Sequence, residues 1–220
     1  MIGIISNFLW RRRQRKECEK VTLTGGFPEM FGESHFLIRY GSTKEDIVIG
    51  KDVGFFNGCS IVSCCHGKIV LGDHVRFQRD VRLFCVEKIV IGNYTAISSN
   101  VCITDNNNHP INPEFRRYMR TTPHGSDARS WEHSAHKPVI IGENCWIGEY
   151  CRIQKGVTIG DNSIVAACSV VTKDVPANCI AAGNPAKIVK TDIDKIPAPI
   201  SCKEFNDYIS NKSIVDEQQQ

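Results

Sequence analysis

Over long stretches of this chain an apolar residue returns at every sixth position, often with Gly behind it. It does so at Ile49, Phe55 and Ile61, at Leu71, Phe77 and Leu83, and at Ile91, Ile97 and Ile103. After a break the beat resumes at Ile141, Ile147, Ile153, Ile159, Val165 and Val171. Four positions further on stand small or β-branched residues: Val53, Cys59, Cys65, Val75, Val81, Thr95, Val101, Cys145, Cys151, Val157, Ser163, Ser169 and Val175. A helix repeats near 3.6 residues and a strand near two, so a period of six belongs to neither alone. It is the period of a parallel β-helix, in which three short strands close a triangular turn of about 18 residues. The large residue fills the corner of the interior and the small one fits beside it.

The beat divides the chain. Residues 1–46 read as a basic N-terminal segment and an irregular lead-in. Residues 47–190 read as the β-helix, interrupted by an excursion at 104–138 that is polar, proline-bearing and rich in histidine. A long structureless excursion from a tight coil is usually functional. Residues 177–190 read as the cap of the coil and 191–220 as a tail, with a short helix over Lys203–Ser213 and a disordered Gln218–Gln220. The fold class expected is all-β, with short helical extensions at both ends.

Eleven cysteines raise the question of a disulfide or metal framework. The repeat points instead to free thiols. Cys59, Cys65, Cys145 and Cys151 fall on the small inward position, where Cys acts as a small hydrophobe. Cys64 and Cys65 alternate out and in, an arrangement that does not bridge easily, and the chain has no CxxC. Free thiols fit a reducing cytoplasm. The net charge of +3 is concentrated at the start, where residues 1–20 carry six cations against two carboxylates. The remainder is close to neutral, so no nucleic-acid footprint is expected. No membrane span or secretory signal is read. The segment Ile2–Trp10 with its trailing arginines suits either a helix that packs on the protein or a weak contact with an anionic inner leaflet.

Two segments carry more than fold. One is Ile103-Thr104-Asp105-Asn106-Asn107-Asn108-His109-Pro110. The other is Pro138-Val139-Ile140-Ile141-Gly142-Glu143-Asn144-Cys145-Trp146-Ile147-Gly148, continuing to Val170-Val171-Thr172-Lys173-Asp174-Val175-Pro176 and Gly183-Asn184-Pro185-Ala186-Lys187. With these residues the chain resembles the hexapeptide-repeat acyltransferases. It is most similar to maltose and galactoside O-acetyltransferases and to the O-acetyltransferases of bacterial surface polysaccharides. The resemblance spans about residues 47–190. It implies a left-handed parallel β-helix, a homotrimer, and acetyl-CoA as co-substrate in a cleft between subunits, without a metal. It implies His109 as the catalytic base. It places Trp146 and Gly148 beside the thioester and pantetheine arm and the Ala167 backbone on a pantetheine amide. By the same resemblance Thr172 and Lys173 would approach the phosphates, Pro185 would lie near adenine, and Lys187 and Lys190 would lie near the nucleotide phosphates. Asp105, Asn108 and Trp146 are assigned to the carbohydrate acceptor. The chain departs from the family at Ala166-Ala167-Cys168-Ser169, where Cys168 adds bulk along the donor path. It departs again at Val81-Arg82-Leu83-Phe84-Cys85, which argues against a maltose or galactoside acceptor.

The residue types suit the chemistry. A sugar hydroxyl must lose its proton as it attacks a thioester, and imidazole titrates in the right range. Plainer readings stand beside these. His109 alone would be an exposed loop residue, Trp146 a packing residue and the lysines solvated charges. Asp105 would either orient His109 or begin an Asx turn. Arg116-Arg117-Tyr118-Met119-Arg120 would be a solvated face or a receiver of an anionic acceptor. Three other functions remain open at this level. One is N-acetylation of an amino sugar. Another is a zinc carbonic anhydrase-like enzyme drawing on His124, His133 and His136. The third is a non-catalytic scaffold or nucleotide-sugar sensor.

Overall fold

A computed structural model describes residues 2–198 and 202–209. The chain opens with α1 (Ile2–Cys18) and then winds into successive three-strand coils. The first holds β1 (Thr22–Leu23), β2 (Glu29–Met30) and β3 (His35–Arg39). The second holds β4 (Ile47–Ile49), β5 (Gly54–Phe55) and β6 (Ser60–Cys64), and the third β7 (Lys68–Leu71), β8 (Arg76–Phe77) and β9 (Arg82–Cys85). The fourth is β10 (Lys88–Ile91), β11 (Ala96–Ile97) and β12 (Cys102–Thr104). The excursion follows, with α2 (Pro113–Thr121) and two short 3-10 turns. The fifth coil is β13 (Val139–Ile141), β14 (Trp146–Ile147) and β15 (Arg152–Ile153), and the sixth is β16 (Thr158–Ile159), β17 (Ile164–Val165) and β18 (Val170–Val171). The hairpin β19 (Ile180–Gly183) and β20 (Ala186–Lys190) closes the coil.

Equivalent strands of successive coils pair in parallel to give three flat sheets, the sides of a left-handed β-helix. The six-residue beat becomes three interior columns. One side stacks Leu23, Ile49, Leu71, Ile91, Ile141 and Ile159 in register. The next stacks Met30, Phe55, Phe77, Ile97, Ile147, Val165 and Ala181. The third stacks Phe36, Ile61, Leu83, Ile103, Ile153 and Val171. From the second coil onward these residues are almost wholly buried, and burying each large side chain contributes about 1.5–3 kcal/mol. Parallel ladders leave no room for slippage, because a one-residue shift would turn each column outward.

The coil begins earlier than expected. Residues 21–46 are no irregular lead-in but contain the first full coil, paired in register with the second. Helix α1 covers that end. The Glu17 carboxylate accepts from the Phe36 N–H at 3.0 Å, and the Gln14 amide donates to the Gly32 carbonyl at 3.1 Å. Residues 10–18 of the basic segment therefore lie on or beside the protein's own first coil. The side chains of residues 2–9, on which the inner-leaflet reading depends, lie outside the described residues, as does residue 1. No described helix is long and apolar enough to cross a membrane.

At the other end, a helix at 203–209 occupies part of the predicted Lys203–Ser213. The remainder of that stretch and Gln218–Gln220 lie outside the described residues. Corners are turned by residues at positive φ, among them Asn144, Asn162 and Asn178. Their amides form a ladder, with Nδ2 of Asn144 donating to Oδ1 of Asn162 at 3.0 Å and Nδ2 of Asn162 to Oδ1 of Asn178 at 2.9 Å.

Cys65 departs from the inward pattern. Its φ of 55° turns it out of line. Cys64 is the buried partner, and the two sulfurs approach to 3.3 Å, so the expected geometric bar to their meeting does not hold. The eleven cysteines are free thiols.

Candidate active site

The chain leaves the coil after β12 through a loop fastened on both sides. Asp105 is fully buried, and its carboxylate accepts from the backbone N–H groups of Val86 (2.9 Å), Glu87 (2.7 Å) and Lys88 (2.8 Å). The Cys85 thiol (3.2 Å) and the Asn106 amide (3.0 Å) donate to it as well. Burial, and then the charge of Asp105, push the Cys85 thiol far above its usual range. Asp105 is thus a latch between the loop and the third coil. A carboxylate so enclosed does not meet an acceptor sugar, which corrects its assignment to substrate, and it makes no hydrogen bond with His109.

Asn106 continues the fastening. Its Nδ2 donates to the Phe84 carbonyl at 3.1 Å, and its Oδ1 accepts from the Asn108 N–H at 2.8 Å. The returning chain closes the loop from the other side: Asn107 N–H donates to the Ala135 carbonyl at 3.0 Å and Lys137 N–H to the Asp105 carbonyl at 2.8 Å. Asn108, at φ 64°, makes the turn that presents His109. Asn108 is exposed and borders a cleft of about 270 Å3 with Arg82, Thr104, Asn106, Trp131 and Arg152.

His109 is half-buried, and its Nδ1 is enclosed without a hydrogen-bond partner. It stands in the wall of a cavity of about 750 Å3. Arg39 and Cys64 of the sheet and Tyr40 of the turn after β3 line one side, and Met119, His124, Arg129 and Trp131 of the excursion line the other. Helix α2 brings Met119 there, capped by Asn112, whose side chain accepts from the Phe115 N–H at 2.8 Å, with Pro113 in the first turn. Sequence reasoning passed over Arg39 and Arg129, which no motif marks. The basic run that it singled out reaches this cavity only through Met119. The Arg116 guanidinium is tied to the carbonyls of Pro110 and Ile111.

The three other excursion histidines disperse. His124 faces the cavity, His133 bonds the Asp127 carbonyl at 2.9 Å, and His136 bonds Glu87 at 2.8 Å. They do not converge on one point as a three-histidine zinc site requires.

The residues assigned to the donor lie elsewhere on the chain. Trp146 is 54% exposed, its indole N–H donating to Ser98 Oγ at 3.2 Å. It stands in an outward column, in which Trp146, Ile164, Ile180 and Lys190 follow one another in register toward the closing hairpin. Ala167, Thr172, Lys173, Pro185 and Lys187 are exposed around the same end of the coil. Lys173, Lys187 and Lys190 form no ion pair among the described residues. Pro185 follows a cis peptide bond at Asn184. Gly148 is buried, and a Cβ there would lie 2.6 Å from the Ala167 nitrogen, so close stacking of coils by itself requires glycine. Within one chain these residues do not line the His109 cavity.

The pattern of repeats is shared with known proteins. Residues 138–173 match the family described as bacterial transferase hexapeptide (six repeats). WcaF of Escherichia coli (strain K12), a putative colanic acid biosynthesis acetyltransferase, is 32% identical over 159 residues, which cover 72% of this chain and 75% of that protein. The chain belongs to the hexapeptide-repeat acyltransferases. WbbJ of the same organism, a putative lipopolysaccharide biosynthesis O-acetyl transferase, is 36% identical over 124 residues, 56% of this chain and 61% of its own length. Among solved structures, AntD, an N-acyltransferase from Bacillus cereus in complex with dTDP and 3-hydroxybutyryl-CoA, superposes with a TM-score of 0.63. It is 18% identical over 94% of this chain and 96% of that one, a likeness of fold.

Proposed function

We propose that this acyltransferase moves the acetyl group of acetyl-CoA to a hydroxyl of a carbohydrate used in bacterial surface polysaccharide synthesis, with His109 as general base. The observation that carries the reading is His109 itself. The coil is interrupted, and the loop latched by Asp105 presents the His109 imidazole, its Nδ1 enclosed and without a partner, at the wall of a cavity large enough for a sugar. The relatives named for colanic acid and lipopolysaccharide biosynthesis supply the setting.

In this mechanism the acceptor hydroxyl attacks the thioester carbonyl as the imidazole takes its proton. The tetrahedral intermediate collapses with cleavage of the C–S bond, and the proton passes from the imidazolium to the leaving CoA sulfur. No acyl-cysteine is formed. The buried thiols are held in the neutral state by desolvation. The outward column from Trp146 to Lys190, half-buried at Ile164 and Ile180, with Ala167, Thr172 and Lys173 nearby, suits an extended ligand that is apolar along its arm and anionic at its end. Because His109 and that column share no cavity in one chain, the reading has a homotrimer that sets the His109 of one subunit against the donor column of another.

The test separates chemistry from binding. His109→Ala is expected to lower kcat by about 10²–10⁴-fold, the usual contribution of a general base, with the Kd for acetyl-CoA within about twofold of wild type. Lys173→Ala is expected to do the reverse, weakening acetyl-CoA several-fold. If His109→Ala turned over at the wild-type rate, or if wild type failed to bind acetyl-CoA at millimolar concentration, the proposal would be wrong.

A further inference from the structure

The cavity beside His109 has a charge pattern that acyl transfer alone does not require. Arg39, at the end of β3 in the first coil, and Arg129, in the excursion, arrive there from positions 90 residues apart in sequence. The imidazoles of His109 and His124 join them, and no carboxylate is among the lining residues. The Arg39 guanidinium has no hydrogen bond or ion pair among the described residues. Arg129 uses only Nε, which donates to the Thr122 carbonyl at 3.0 Å and so fixes its guanidinium plane while leaving the Nη donors free.

Asp46 holds Lys68, with His66 Nδ1 at 3.4 Å, and Glu87 pairs with His136, while the carboxylates of Asp127 and Glu132 cluster with His133 and are not among the lining residues. Cys64 supplies no counter-charge either, since burial pushes its thiol up to about 12. Arg39 is exposed and Arg129 half-buried, and both line one recess with no carboxylate in its walls, so an anion that enters it meets two cations. The aromatic walls are supplied by Tyr40 and by Trp131, whose ring is held edge-on against Phe84 at 5.3 Å.

Resting on the acyl-transfer reading of His109, we infer that this cavity selects an acceptor carrying an anionic group next to the sugar that is acetylated, held by Arg39 and Arg129. The shared chemistry is a planar or tetrahedral oxyanion that can accept paired N–H bonds from a guanidinium. Two sources supply it: the carboxylate of an acidic sugar, and the phosphate that joins a sugar to a nucleotide or lipid carrier.

The experiment measures binding first and turnover second, on the full chain. Calorimetry compares a uronic-acid disaccharide, the matched neutral disaccharide and a hexose 1-phosphate, each with wild type, Arg39→Gln and Arg129→Gln. Acetyl-CoA is titrated in parallel. A charged hydrogen bond contributes about 1.5–3 kcal/mol, so each variant is expected to weaken the anionic ligand by about 10–150-fold. The affinity for acetyl-CoA should stay within twofold, and the neutral disaccharide should bind poorly to all three proteins. A preference for the uronic acid identifies the carboxylate source, and a preference for the hexose phosphate identifies the carrier source. Arg39 is exposed at a strand end, so Arg39→Gln keeps the test decisive if Arg129→Gln unfolds. Equal affinity of wild type for the neutral disaccharide and for both anionic ligands, or anion affinity unchanged in Arg39→Gln, would overturn the inference. Loss of acetyl-CoA binding with anion selectivity intact would overturn acyl transfer and leave the anion site standing.

Discussion

Removing the Asp105 carboxylate tests how the His109 loop is held. In Asp105→Ala three backbone N–H groups lose their acceptor, at present 2.7–2.9 Å away. Hydrogen bonds to a charged group contribute about 1.5–3 kcal/mol each, and a buried donor left unsatisfied costs about 1–3 kcal/mol. The Glu87 and Lys88 residues are exposed, so water can replace the acceptor for those amides, whereas Val86 is buried. The net loss is then about 3–5 kcal/mol, less than the sum of three full bonds. For a chain of this length each kcal/mol moves Tm by about 2–4 °C, so Tm is expected to fall by about 6–20 °C at fixed protein concentration. Asp105→Asn should recover only part of this, because its amide nitrogen would face amide donors. Urea unfolding at constant m provides the measurement, and kcat should fall alongside because His109 rides on the same loop. A melting temperature for Asp105→Ala within about 2 °C of wild type, with an unchanged urea midpoint, would refute the latch.

Other outcomes follow from single contacts. Gly148→Ala would place a Cβ 2.6 Å from the Ala167 nitrogen, and overpacking of this kind costs about 1–3 kcal/mol; an unchanged melting temperature would show that the coils part easily. Native protein should react quickly with a thiol reagent at Cys168 and Cys202, more slowly at Cys65, and at its other cysteines only on unfolding; rapid modification of five or more thiols would contradict the buried columns. At Asp46, burial pushes the carboxyl up, but the bonds from Lys68 and the Thr43 backbone outweigh it and hold it below its ordinary 3.8. A native value below the unfolded one contributes stability at higher pH, and that stability is lost as pH falls from about 3.8 through the native value. Acid titration followed by circular dichroism should therefore find Lys68→Ala unfolding at a higher pH than wild type, and coincident curves would remove Asp46 as a stabilising group.

The six-residue beat was legible because each short strand contributes one large interior residue per period, and nothing but a three-sided coil places those residues in columns. The first coil was not, because its steps are uneven. Leu23 to Met30 is seven residues, and Phe36 to Ile49 is thirteen, with Gly25, Gly26 and Pro28 between the strands. Its identity appears only in the ladder to the second coil. Cys65 was misread because a periodic pattern carries no sign of φ, and one left-handed residue brings neighbouring sulfurs together. His109 stood out because it follows the point where the beat stops. The partners of Asp105 did not, since they are backbone amides 17–19 residues earlier. Arg39 and Arg129 meet only in three dimensions, at the edge of an excursion whose path no period describes.

A stack of parallel coils has two open ends, each offering a row of unpaired backbone groups that another stack could extend. Here α1 occupies one end, with Glu17 taking the Phe36 N–H. At the other, β20 runs antiparallel to β19 and ends the register in an exposed strand bearing Lys187 and Lys190. Charged lysines on an edge oppose continuation of a sheet. Whatever those lysines do for a ligand, they also stand on the edge of the one sheet that the hairpin extends, where they oppose the addition of another stack. Truncation before residue 180 should reveal this as concentration-dependent growth of long assemblies.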